Sequence, residues 1–242
     1  MIWKKTLNLI LNFLFADDTM LYSIVDDPKI SAKDLNDDLE TIRKWAFQWK
    51  LEFNPDVKKQ ATEILFSCKI SNQIHPNLYF DGNKVVRYNY QKHLGLTLET
   101  NLSFKQHILD KINTAKKCLI LVSRLSNYFP LKTLSNMYKL LVRSHFDYCD
   151  IIFHIPPTHS QNGMILHGLM ENLEKMQYQA ALAITGAWQG SNRVKLYEEL
   201  GWESLSDRRW SRRILHIHKI VNDKTPSYLK ERLPRLRRPL YR

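Results

Sequence analysis

Glycine is scarce in this chain, 7 in 242 residues, and the seven are scattered. A glycine-rich loop that cradles the phosphates of a nucleotide is thereby excluded, because it needs several glycines within a few positions. Cysteine is scarcer still, at 3, with no Cys-x-x-Cys pair among Cys68, Cys118 and Cys149. An odd number without paired spacing argues against a secreted disulfide framework, so a reducing intracellular compartment, nucleus or cytoplasm, is expected, with the thiols in the core. Long apolar runs are missing as well. The stretch over residues 7–14 is interrupted by Asn8 and Asn12. It is too short to span a bilayer and no small-residue cleavage site follows it, so a secretory signal and a membrane partner are both excluded from the expectation. His145, Cys149, His154 and His159 lie close in sequence, but their gaps match no standard pair of zinc ligands. No internal repeat and no low-complexity tract is present.

Hydrophobic residues make up 44% of the chain and charged residues 25%, an ordinary globular balance for one large or two small domains. The formal net charge of +12 is unevenly spread: residues 17–40 hold eight acidic and two basic side chains, residues 205–242 twelve basic and three acidic. Such a division suits a protein that grips a polyanion in one place and holds a metal ion in another.

Residues 9–16 and 20–25 read as two short strands joined at Asp17-Asp18. Ser31, with Asp34 three residues on, reads as the N-cap of a helix. Its apolar positions Leu35, Leu39, Ile42, Trp45 and Trp49 recur at helical spacing, and Asn54-Pro55 ends the run. Residues 61–68 are expected to be a strand, residues 78–80 and 84–87 to flank a hairpin at Asp81-Gly82-Asn83, and residues 90–98 a further strand. From Ser103 onward the period becomes helical. Phe104, Ile108, Ile112, Ala115, Leu119 and Val122 form one stripe; Leu134, Met137, Leu141 and His145 form a second, in a helix that Pro130 starts. Pro156-Pro157 and the polar run to Gly163 read as a loop, residues 173–184 as a helix closed by Gly186, and residues 196–200 as a short one closed by Gly201. The expected fold class is α+β.

The last helix, residues 206–222, carries Trp210, Ile214, Ile217 and Val221 as its expected buried stripe. Arg208, Arg209, Arg212, Arg213, His216 and Lys219 take the remaining surface with no Glu to relieve the charge. A merely solvated face would mix Glu with Lys, so these side chains are expected to contact nucleic-acid phosphates. Trp188, Trp202 and Trp210 read as core residues rather than base-stacking platforms.

Asp17 and Asp18 are the other chemical signal. Adjacent carboxylates raise each other's pKa unless a cation or hydrogen-bond donors stabilise the charged forms. Magnesium, which takes one or two carboxylates together with substrate phosphates, is the natural stabiliser; ordinary turn chemistry is the alternative reading.

Phe15-Ala16-Asp17-Asp18-Thr19, the stretch from Trp45 through Trp49-Lys50-Leu51-Glu52-Phe53-Asn54-Pro55, and His93-Leu94-Gly95-Leu96 resemble, in content and order, reverse transcriptases of non-LTR retrotransposons, the jockey-like group especially. Leu102-Ser103-Phe104 with His107-Ile108, then residues 143–150, residues 177–186 and Leu205-Ser206-Asp207-Arg208-Arg209 continue the resemblance, which covers nearly the whole chain from about Leu9. It implies the second half of a polymerase palm over residues 1–102, an antiparallel sheet with a packed helix. A helical thumb over residues 103–160 and a basic helical extension over residues 161–242 would follow. The implied activity is RNA-directed DNA synthesis with an RNA template, a DNA primer and Mg2+. Asp17 would be a metal ligand, Asp18 its neighbour as ligand or electrostatic support, and Ala16 would leave room for the primer end. Lys58 or Lys59 would assist the departing pyrophosphate, and the sequence does not choose between them. His93, Leu94 and Gly95 would belong to a primer-positioning hairpin; a strand with a bulge is the alternative. One departure from the family is decisive. No Asp or Glu precedes Asp17, whereas the polymerase site needs a third carboxylate on an earlier strand and an upstream segment that holds nucleotide and template. Weak magnesium binding and an inactive, truncated polymerase are therefore expected of this polypeptide alone, the alternative being a non-catalytic nucleic-acid-binding protein derived from the element.

Overall fold

A computed structural model describes residues 11–15, 18–54, 56, 61–66, 75–153 and 161–233. The chain divides into two units, Met1–Leu102 and Ser103–Arg242. Both helix and strand are present, in small sheets, as the α+β expectation requires.

In the first unit β1 (Leu11–Phe15) and β2 (Asp18–Tyr22) pair antiparallel with Phe15 opposite Asp18. Helix α1 (Pro28–Gln48) begins earlier than Ser31: Asp27 is its N-cap, with Oδ1 accepting from the Lys29 and Ile30 amides at 2.7 and 3.3 Å. The Asp-Pro pair explains the difference, since proline's fixed φ suits the first helical position and aspartate satisfies the free amides. Ser31 lies inside the helix, buried. One face of α1 packs on β4 (Tyr79–Phe80) and its surroundings, forming a core of Ala32, Leu78, Phe80 and Val85 backed by Leu35, Leu39 and Ala61. Asn36 ties the same face down, accepting from the Tyr79 amide at 2.7 Å. The helix ends at Gln48, ahead of Asn54-Pro55, and its last turn and the stretch beyond leave Phe47, Trp49 and Leu51 exposed.

The expected strand over 61–68 is reduced to β3 (Thr62–Glu63), parallel to β6 (Val86–Arg87); residues 67 and 68 lie outside the described residues. Register partners Glu63 and Arg87 form a forked pair with two contacts of 3.1 Å, and His75 Nδ1 lies 3.3 Å from the same carboxylate. The expected hairpin is present: β4 pairs with β5 (Asn83–Lys84) across Asp81-Gly82, both at positive φ. Residues 90–98 are not one strand but a second hairpin, β7 (Tyr90–His93) with β8 (Leu96–Glu99), turning at Leu94 and Gly95 with φ of 46° and 79°. Two positive φ values match the twist of antiparallel strands. Gly95 takes that conformation freely and a branched leucine does not, which is why the turn is hard to read from sequence.

In the second unit α2 (Lys105–Arg124) buries Ile108, Ile112, Ala115 and Val122 as expected, with Phe104 buried at its cap. The next helix departs from expectation. It runs as α3 (Leu131–Tyr138), a π-helical segment (Lys139–Arg143) and α4 (Ser144–Asp147). Its buried face is Leu134, Tyr138, Val142 and Phe146, not Leu134, Met137, Leu141 and His145. A strict four-residue spacing drifts around a regular helix, and the wider π turn absorbs that drift and keeps all four side chains on the core. After α5 (Asp150–Phe153), helix α6 (Gln161–Thr185) starts twelve residues before the expected position and takes in Gly163. Then come α7 (Arg193–Leu200), closed by Gly201 at φ 61°, α8 (Leu205–Val221) and α9 (Ser227–Glu231). The two described cysteines, Cys118 and Cys149, are half-buried rather than core.

Leu94 in a left-handed conformation carries a cost of about 1 kcal/mol that asparagine would relieve. Leu94→Asn is expected to raise the unfolding free energy by about that amount in urea titration, and a lower midpoint would show that the leucine side chain contributes more than its backbone costs.

Candidate functional site

Asp17, Lys58 and Lys59 lie outside the described residues, as does Ala16. Asp18 is exposed at the first position of β2. Among the described residues no group of three or more His, Cys, Asp or Glu is placed to hold a metal ion. His93, Leu94 and Gly95 meet at one hairpin tip, with His93 half-buried opposite Leu96 and Leu94 exposed.

The ionic centre of the second unit joins α4, α5, α6 and α8. Asp147 ends α4 and Asp150 begins α5, and between them Cys149 takes a φ of 59°. Arg208 grips Asp147 through Nε and Nη2 at 2.9 Å each, and its Nη1 reaches Glu203 at 3.0 Å. The carboxylate holds the Arg208 guanidinium well above the usual arginine range. Arg212 Nη1 donates to the Asp147 carbonyl at 2.9 Å and lies 3.1 Å from Asp150 Oδ2. The latter contact is ionic, without hydrogen-bond alignment. Arg143 approaches Asp147 at 3.8 Å.

Two members are deeply buried: Asp150 is 1% exposed and Arg209 4%. Burial pushes the Asp150 carboxyl up, opposed by Arg212, and lowers the Arg209 guanidinium, opposed first by Glu174. Glu174, also raised by burial, accepts from the Leu205 amide at 3.0 Å and from the Tyr197 hydroxyl at 3.3 Å. It thus satisfies a free amide in the first turn of α8, while the Ser204 side chain takes the Asp207 amide. Beside this centre Tyr138 donates to Gln177 at 2.9 Å and stacks on Trp202, with ring centroids 4.2 Å apart.

These contacts reverse the expected orientation of α8. Its buried residues are Leu205, Arg209 and Ile220, whereas Trp210 is 59% exposed and Ile214, Ile217 and Val221 also face outward. Charge attraction to Asp147, Asp150 and Glu174 decides which face turns inward, and apolar periodicity within α8 could not show it because the carboxylates come from other elements. Of the side chains expected to meet phosphates, Arg208, Arg209 and Arg212 face these internal carboxylates, Arg213 is half-buried and Lys219 is exposed. Trp188 is exposed as well; only Trp202 of the three tryptophans is buried.

A different surface was missed. Residues 111–146 hold seven Lys or Arg and no Asp or Glu. The absence of acidic residues was legible in the sequence; that Tyr128 and Phe129 point outward was not. No family model matches the chain, and neither a curated protein nor a solved structure matches it.

Asp147→Ala would remove the carboxylate that Arg208 grips and one of the two that face Arg212, whose side chains are 26% and 33% exposed. The loss should be about 1–3 kcal/mol of unfolding free energy, below that of a fully buried pair because solvent reaches the guanidiniums. A loss under about 0.5 kcal/mol would show that the ion centre does not hold the unit together. Asp150 supplies a pH signature. A carboxyl whose folded pKa lies above its unfolded value gains stability for the fold as pH falls through the folded value, and loses it as pH rises. Asp150→Asn should therefore lack part of the wild-type gain in stability between neutral pH and the ordinary carboxylate range; parallel pH profiles would contradict this.

Proposed function

We propose that this chain is the carboxy-terminal part of a non-LTR retrotransposon reverse transcriptase, whose parent activity is RNA-directed DNA synthesis. The observation that carries the reading is the β1–β2 hairpin, whose last ladder pair before the strand junction is Phe15 with Asp18. In the family's chemistry that junction presents carboxylates to the magnesium ions that bind primer end and nucleotide. The hairpin at Leu94-Gly95 and the change to helices after Leu102 are consistent with the order of the family's motifs.

Asp17 and Asp18 would hold Mg2+, Lys58 or Lys59 would face the leaving pyrophosphate, and the His93-Leu94-Gly95 tip would support the primer. RNA template and DNA primer are the partners. Among the described residues no helix is long and apolar enough to cross a membrane. In the family's chemistry a third carboxylate on an earlier strand completes the site, and no Asp or Glu precedes Asp17 in this sequence. The second reading, a non-catalytic nucleic-acid-binding protein, draws on the seven Lys or Arg of residues 111–146, a stretch without Asp or Glu.

Extension of oligo-dT on poly-rA with magnesium tests the first reading. The chain alone should be inactive. Mixed with a separately purified fragment carrying the fingers and first palm half of a jockey-like enzyme, it should extend the primer, and Asp17→Ala in the chain should reduce that activity by at least about a hundredfold. A mixture that stays inactive, while the same fragment is active with its own carboxy-terminal half, would overturn the proposal.

A further inference from the structure

Helices α2 and α3 are joined by residues 125–130, and the join is ordered by its own backbone: the Tyr128 amide donates to the Leu125 carbonyl at 3.0 Å and the Leu134 amide to that of Pro130 at 3.1 Å. Two aromatic rings stand out at this tip, Tyr128 at 79% and Phe129 at 44% exposure. On either side are Arg124, in the last turn of α2, and Lys132, in the first turn of α3; Lys116 and Lys117 lie two turns further back on α2. All four are exposed, and none forms a salt bridge among the described residues.

We propose that the α2–α3 tip is a binding surface for single-stranded nucleic acid, in which Tyr128 and Phe129 stack on unpaired bases while Lys116, Lys117, Arg124 and Lys132 follow the phosphates. The polyanion follows from charge. Lys116, Lys117, Arg124 and Lys132, in a stretch (residues 111–146) that holds no Asp or Glu, attract an acidic partner and repel a second copy of the same surface. A single strand is favoured over a duplex because only unpaired bases offer a free π face to an exposed ring. It is favoured over an anionic bilayer because the cations run along the helix. From Lys117 to Arg124 the rise is about 10 Å, a line that suits successive phosphates, whereas an inserting tip would hold its cations at one depth behind the apolar groups. The choice of nucleic acid as the polyanion rests on the functional reading above; the location of the surface does not.

The test is fluorescence anisotropy of a labelled single-stranded oligothymidylate, and of a blunt duplex of equal length, over a series of salt concentrations. Tyr128→Ser with Phe129→Ser should weaken single-strand binding about tenfold, leave its salt slope unchanged and leave duplex binding unchanged. Arg124→Gln with Lys132→Gln should lower the single-strand salt slope by about 1.4, two phosphate contacts. All four side chains are exposed, and thermal unfolding of each variant would show an intact fold. Single-strand affinity unaffected by loss of both rings would overturn the inference. So would an aromatic-dependent association with phosphatidylserine vesicles that has no counterpart with oligonucleotide. Failure of primer extension with the ring dependence intact would remove the polymerase reading and leave this surface standing.

Discussion

The second unit depends on a short set of carboxylates that no single element could hold alone. Asp147, Asp150, Glu174 and Glu203 come from α4, α5, α6 and the turn before α8, and together they face Arg208, Arg209 and Arg212 of α8. Burying Arg209 and Asp150 is costly unless each charge finds an opposite one nearby, and removing one partner exposes the other to the full cost of desolvation. The arrangement is therefore specific more than it is strong: α8 can dock with its arginine face inward only while the turn at Cys149 brings Asp147 and Asp150 together.

This constraint redistributes what the surface can offer. With its arginines turned inward, α8 shows solvent Trp210, Ile214, Ile217 and Val221, an apolar row rather than a phosphate-binding one. Lys116, Lys117, Arg124 and Lys132 of α2 and α3 are exposed and form no salt bridge among the described residues. A count of charges along the sequence finds the basic carboxy-terminal region, but electrostatic reach is decided by which cations keep internal partners after folding.

Local signals with a strong stereochemical cause were legible. Asp81-Gly82 announces a two-residue hairpin, Gly201 a helix end, and the stripe of α2 its buried face. Non-local choices were not. Asp27-Pro28 was a readable cap overlooked in favour of Ser31. The π turn at Lys139–Arg143 moves the buried face onto Tyr138, Val142 and Phe146, a change that only packing against α2 and α6 requires. For the candidate site, the sequence pointed to the aspartate hairpin, and β1 and β2 are paired as such a hairpin needs. The orientation of α8 was misread because the partners that determine it lie far off in the chain, Asp147 being 61 residues from Arg208 and Glu174 31 from Leu205.

That orientation is open to direct measurement by oxidative footprinting of tryptophan with mass-spectrometric readout, together with phenylglyoxal labelling of arginine. Trp210 should oxidise rapidly and Trp202 slowly, with Arg209 protected from labelling under native conditions. A protected Trp210 with a readily labelled Arg209 would mean that α8 docks through its apolar stripe, and would contradict the account of the ion centre.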